Sequence, residues 1–290
     1  MQTKGLFILN RYFEKTKFVE QYDMLSKLFK KRGVVLDIVF SDELFLADIR
    51  KYEFALFYDK DMILAKTLEL KGIRVFNNSE TLRICDDKAL TYLELQGLDN
   101  INLIRSFTSP LSFYDALTID TPFIKKVLKE VSFPFVIKAT VGSYGNDVHL
   151  IHCQGCLKSS LKRLGTKQFV IQDYIESAKG IDYRVWFVGS EAVVVVKRMA
   201  RNSDEFRSSI SQGGTFIENV IIPNSVISSA ISVAKTLKLD FGTVDFLHDS
   251  IKDKWYLCEV NTNAIFYYYE TDVATKVVDY VLKGMKNEIR

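Results

Sequence analysis

Hydrophobic and polar positions alternate with two periods in the first third of the chain. Residues 6–9 form a short apolar run that reads as a strand, and residues 18–31 repeat apolar positions at helical spacing before Gly33 stops them. Residues 34–40 and 54–58 read as strands, 61–70 as a helix closed by Gly72, and 73–76 as a fourth strand. Strands separated by helices predict a parallel sheet with helices packed over it. Asn78 or Ser79 suits the cap of the next helix, predicted to run unbroken through Asp86, Asp87 and Lys88 to Leu95 and to stop at Gly97.

The period weakens over residues 100–121. Thr121 then caps a helix predicted over 122–130, with Pro122 in the favoured first position. Beyond it strands dominate, predicted at 135–139, 148–151, 169–174, 183–187, 192–199, 242–247 and 255–261. Helices are expected at 156–164, 223–239 and 271–286, and residues 201–214 are polar without a strong period. The class is α/β (α+β): an N-terminal parallel unit over 1–83, a small central unit over 84–167 and a mostly antiparallel C-terminal unit over 168–290.

Composition narrows the functions. The 290 residues are 48% hydrophobic and 26% charged with a formal net charge of +3, an ordinary globular balance. No dense Lys/Arg run marks a nucleic-acid surface. No stretch approaches the roughly 18 apolar residues of a membrane span. The run near the start is too short for a signal-peptide core, so the expected location is cytoplasmic. A homo-oligomer is compatible with the sequence. Cys85 and Cys258 fall in predicted regular elements, as small buried hydrophobes do. Cys153 and Cys156 have a metal or redox spacing beside His149 and His152, but no second pair completes a zinc set. They follow a strand ending at Ile151 rather than visibly opening a helix, and read as partly exposed thiols in a connection.

Four groups of residues carry candidate chemistry. If the last two strands form a hairpin turning near Lys252, Asp245 faces Glu259, with Asn261 two positions further on the same side. Opposed carboxylates repel unless a cation sits between them, and oxygen ligands favour magnesium or manganese. An edge hairpin with both acids in solvent is the alternative. Lys138 ends an apolar strand ahead of Gly142-Ser143-Tyr144-Gly145, a turn whose amides could approach phosphate; a plain hairpin turn fits equally. The strand ending Gln172-Asp173-Tyr174-Ile175, followed by Asp182 and Arg184, could meet a nucleoside or be a hairpin with charged tips. Arg198 closes a strand and Arg207 sits in the polar loop after it, suited to negative charge in flight or to solvent.

In order along the chain, these motifs resemble the ATP-grasp superfamily, and within it the RimK-like branch of carboxylate–amine ligases. The resemblance is detailed over residues 83–262 and looser before them. It implies ATP and one or two Mg2+ or Mn2+ ions as cofactors. Lys88 and Lys138 would touch phosphates. Gly142, Ser143, Tyr144 and Gly145 would form a mobile lid. Gln172, Asp173, Tyr174, Ile175 and Asp182 would bind the nucleotide. Arg184, Arg198 and Arg207 would serve the phosphate and acceptor, and Asp245, Glu259 and Asn261 the metal. The implied reaction adds glutamate or a similar amino acid to a carboxylate of a peptide, protein or metabolite through an acyl phosphate. The alternatives are an ATP-binding module without ligase activity and a peptide-modifying ATP-grasp enzyme with a non-amino-acid partner. Three departures from the family pattern stand out: Asn146-Asp147 follow the glycine turn where Gly-Val is usual, Ser209 replaces a common asparagine, and Thr262-Asn263-Ala264 replaces Ser-Pro-Gly.

Overall fold

The computed structural model describes residues 2–142, 145, 147–208, 210, 213–266, 269 and 272–287, with positions 286 and 287 as backbone alone. The first unit contains β1 (Lys4–Leu9), α1 (Lys17–Lys31), β2 (Val35–Phe40), β3 (Phe54–Tyr58), α2 (Met62–Leu70) and β4 (Arg74–Phe76). Its sheet has the order β2-β1-β3-β4 and is parallel throughout. Alternation along β1 sends Phe7 and Leu9 into one core and Leu6 and Ile8 into another. With both faces covered, the strand is a continuous apolar run rather than an alternating one. On α1, Phe18, Gln21, Leu25 and Phe29 form the buried stripe.

The chain continues through α3 (Ser79–Asp86), α4 (Lys88–Glu94), β5 (Ser106–Thr108), α5 (Pro122–Val127), β6 (Phe135–Ala139), β7 (Val148–Ile151), α6 (Gln154–Leu164) and β8 (Phe169–Asp173). A second, antiparallel sheet has the order β5-β8-β6-β7. Ile124 and Val127 of α5 and Leu157, Leu161 and Leu164 of α6 seal it against Phe135, Ile137, Phe169 and Ile171. The third sheet combines β9 (Ile181–Val188), β10 (Glu191–Met199), β11 (Thr215–Glu218), β12 (Phe241–Asp249) and β13 (Lys254–Asn261). Its order is β11-β10-β9-β12-β13, antiparallel throughout. Between its strands run α7 (Asn224–Thr236) and, at the end, α8 (Val273–Asn287). α7 packs on one face together with α3 and α4, whereas α8 joins the other face to the parallel sheet through Val273, Val277, Val278 and Val281.

Several elements differ from the sequence reading. The helix expected over 78–95 is two helices broken at Asp87, which has extended φ/ψ of −105° and 111°. Its carboxylate accepts the amide N–H groups of Ala89 and Leu90, so a capping preference overrides a continuous apolar period. The strand expected to open the third unit, β8, pairs with β6 in the second sheet. Thr121 stands at the helix start, yet its hydroxyl donates to the carbonyl of Thr118 instead of capping. β5 and β11 are short edge strands in stretches with little period. Among the described residues no helix is long and apolar enough to cross a membrane.

Candidate functional site

The β12–β13 hairpin places Asp245 opposite Glu259 and Thr243 opposite Asn261. Counting inward from Asp249 opposite Lys254 would instead pair Asp245 with Cys258. A bulge between Asp245 and Phe246 absorbs the extra residue and restores the acid pair. Both Cys258 and Glu259 consequently line one cavity of about 650 Å3, between the second and third sheets and the C-terminal ends of β1 and β3. Asn261 lines it too.

The cation expected between the two acids is, for Asp245, a pair of guanidinium groups. Arg184 donates to both Asp245 oxygens at 2.8 and 2.7 Å, and Arg198 adds a third bond at 2.8 Å. Arg198 also grips Asp182, which accepts from Ser208 as well. Burial pushes the Asp245 carboxyl up, but the two guanidiniums outweigh it and hold the group below its ordinary value. Such a pair survives burial only because each charge is met by several hydrogen bonds. Arg184 and Arg198 line the cavity, while Asp245 is 1% exposed and stands behind them. In this structure Asp245, expected as a metal ligand, is engaged by the two arginines. The Nδ2 of Asn261 donates to Asp245 at 3.3 Å, which leaves its amide oxygen for a ligand. Glu259 and Asn261 thus fit a hard cation shared with phosphate oxygens, whereas Asp245 fits one only by releasing guanidinium contacts.

Two ammonium groups face Glu259. The break at Asp87 starts α4 at Lys88, whose Nζ lies 3.4 Å from Glu259 and donates to the carbonyl of Gly142 at 3.0 Å. Lys138 on β6 is 5% exposed, and its ammonium, among the described residues, makes no hydrogen bond or ion pair. Its ammonium has the ring of Tyr92 at 5.8 Å instead. Burial lowers its pKa, against the pull of Cys258 and Glu259. Gly142 has φ +151° and Gly145 φ +69°, where a side chain would be strained. Ser143 and Tyr144 lie outside the described residues. Arg207 donates to the carbonyl of Gly145 at 2.7 Å and is held by Glu205.

At the end of β8, Asp173, Tyr174 and Ile175 all line the cavity. Asp173 is held by Arg105, which bonds both its oxygens at 2.9 and 3.0 Å. Gln172 is buried, and its amide donates to the hydroxyls of Tyr92 and Ser106. Its side chain anchors β8 rather than presenting a free polar group. The sequence reading missed Arg105, Ser208 and the cavity's far wall of Asn10, Tyr12, Phe13, Tyr58, Asp59 and Lys60. The signal for that wall was general: ligands bind beyond the carboxyl ends of parallel strands.

Cys153 and Cys156 are also placed differently from expectation. Cys153 is the N-cap of α6 and Cys156 lies in its first turn, because Gln154 and Gly155 already belong to the helix. Among the described residues no group of three or more His, Cys, Asp or Glu could hold a metal ion.

A family model described as a RimK-like ATP-grasp domain matches residues 109–281. The chain is 30% identical over 228 residues to the probable alpha-L-glutamate ligase of Methanococcoides burtonii, covering 76% of this chain and 71% of that protein. D-alanine–D-alanine ligase from Bacillus anthracis complexed with ATP aligns with a TM-score of 0.75 at 21% identity, over 99% of this chain and 100% of its own. The RimK domain protein ATP-grasp from Sphaerobacter thermophilus aligns at 0.71 and 17% identity, over 96% and 99%. These two structural likenesses are likenesses of fold, and they share the architecture of a parallel sheet with two antiparallel ones.

Proposed function

Since the chain belongs to the RimK-like ATP-grasp family, we propose that it joins glutamate or a similar amino acid to a carboxylate of a peptide, protein or metabolite, with ATP converted to ADP and phosphate. The observation that supports this reading most is the buried Lys138 ammonium, unpaired among the described residues and facing the same cavity as Lys88, Glu259 and Asn261. A buried cation without a counter-ion is costly unless an anion arrives to meet it.

In this reading the triphosphate lies between the lysines and the β12–β13 hairpin. The nucleoside end lies against Asp173, Tyr174 and Ile175. The acceptor carboxylate attacks the γ-phosphorus, the bond to the ADP oxygen breaks, and an acyl phosphate forms. The amine then attacks the acyl carbon and phosphate leaves. Lys88 and Lys138 would hold phosphate oxygens as point charges. Arg184 and Arg198, already oriented by Asp245 and Asp182, would stabilise charge on the transferred group without reorganising. Glu259 and Asn261 would hold a divalent cation, which supplies charge neutralisation at the phosphates. Arg207, tied to the Gly145 carbonyl, would position the glycine turn. The far wall would receive the amino acid, where Lys60, paired with Asp86, is the cation at hand.

The test is ADP release from purified protein with ATP, Mg2+ and a panel of amino acids and carboxylates, with products weighed by mass spectrometry. Amine-dependent ADP release and a product equal to the two substrates less one water are expected. ADP formed at the same rate without any amine, and no condensed product, would refute the ligase reading.

A further inference from the structure

Cys153 and Cys156 lie outside the cavity already described, and the ligase chemistry uses neither. Their sulfur atoms are 2.7 Å apart. A disulfide needs about 2.03–2.05 Å, a gap that a small side-chain rotation closes. Cys153 is exposed and Cys156 half-buried. The other two thiols are poor nucleophiles, since burial pushes both Cys85 and Cys258 up to about 12.

Chemistry singles out Cys153 as the attacking group. Its Sγ accepts the backbone N–H of Cys156 at 3.2 Å, the N-cap position at which helix amides favour negative charge. That thiol is lowered from its ordinary value by the Cys156 thiol first and by the Cys156 amide second. Low-pKa, accessible thiols of this kind are the reactive ones. The helix that Cys153 caps is itself cationic: α6 carries Lys158, Lys162 and Arg163 and no acid. Cys156 itself shares a shallow cavity with His149, Arg163 and Arg207.

We propose that Cys153 and Cys156 form a thiol–disulfide exchange site whose partner is an anionic low-molecular-weight disulfide. The Cys153 thiolate attacks one sulfur of that disulfide, forming a mixed disulfide and releasing one thiolate of the small molecule. Cys156, losing its proton to solvent, then attacks the Cys153 sulfur, closing the intramolecular disulfide and releasing the second thiolate. Two protein thiols are oxidised, one external disulfide is reduced, and the two protons end on the two released thiols. Cys156 and Arg207 line the same shallow cavity, and Arg207 bonds the Gly145 carbonyl, so the exchange takes place across that cavity from the anchor of the glycine turn.

The test treats the reduced full chain with oxidised glutathione and reads intact mass and peptide linkage. Wild type should lose two hydrogens and yield a Cys153–Cys156 crosslink. Cys156→Ser should stop at a stable glutathione adduct on Cys153, and Cys153→Ser should lower the modification rate at least tenfold. The readout is independent of ligase turnover. Thiols that stay free at a glutathione ratio that oxidises a model dithiol would overturn the proposal. A linkage through Cys85, Cys258 or a second chain would overturn it too, as would an adduct on Cys156 in preference to Cys153.

Discussion

Replacing Lys138 by methionine has two opposite consequences that no single structural role would produce together. Lys138 is 5% exposed and its ammonium, among the described residues, forms no ion pair; burial of the charge outweighs the pull of Glu259 and destabilises the ligand-free protein. Relieving the desolvation of such a charged group at a cavity wall is worth on the order of 1 kcal/mol. Methionine keeps the length of the stem and the packing against Tyr92, so the ligand-free variant should unfold at a higher denaturant concentration. Binding moves the other way. A hydrogen bond to a charged group contributes about 1.5–3 kcal/mol, and its loss raises Kd for an ATP analogue roughly 10- to 150-fold. The pH dependence adds a sign. The folded pKa of Lys138 lies below its ordinary 10.5, so between those two values the unfolded chain binds more protons than the folded one. Wild-type stability therefore rises with pH through that window and is lowered by the full cost below it. The stability advantage of the variant should shrink as pH approaches 10.5. Urea titrations at several pH values and calorimetry with a non-hydrolysable analogue measure all three quantities. A variant less stable than wild type, with unchanged nucleotide affinity, would rule out a phosphate-binding role for Lys138.

Other perturbations separate the remaining parts. Glu259→Gln keeps the volume and removes the charge, so amine-dependent ADP release should fall about 10²- to 10³-fold while unfolding shifts little; steady-state kinetics beside a urea curve checks it, and near-normal turnover contradicts the role. Asp245→Ala strands the guanidiniums of Arg184 and Arg198, at a cost of about 3–5 kcal/mol in unfolding free energy. A loss below about 1 kcal/mol would contradict the network. Arg105→Ala breaks a half-exposed pair with Asp173 and should change stability by less than about 1 kcal/mol, measured the same way.

Much of the architecture could be read from the chain, because its strongest signals are local. The parallel sheet followed from apolar runs such as β1 and β3, buried on both faces. The pairing of Asp245 with Glu259 was legible, although through two compensating features: the turn sits half a residue earlier than assumed, and the bulge at Cys258 restores the register. The Asp182–Arg198 pair was not within reach by counting alone: β9 and β10 form a hairpin across Gly189, but plain counting puts Lys197 opposite Asp182, and a bulge between Ala192 and Val194 shifts the register by one to bring Arg198 there. Nor was Arg184 opposite Asp245, because β9 pairs with β12 across a long stretch of intervening chain. The start of α4 was hidden by an apolar period that ran through it, so the reason Lys88 reaches Glu259 was invisible. Cys153 escaped for a related reason. Gly155 is a poor helix former in sequence, whereas Cys153 accepts the Cys156 N–H as the N-cap and the helix starts two residues earlier than expected.

A crystal of the protein grown with Mn2+ and a non-hydrolysable ATP analogue, phased for the metal's anomalous signal, tests the central claim most directly. A manganese peak is expected at about 2.0–2.2 Å from oxygens of Glu259 and Asn261, with phosphate oxygens against the Nζ atoms of Lys88 and Lys138. A nucleotide bound away from both lysines, or a metal remote from Glu259, would contradict it.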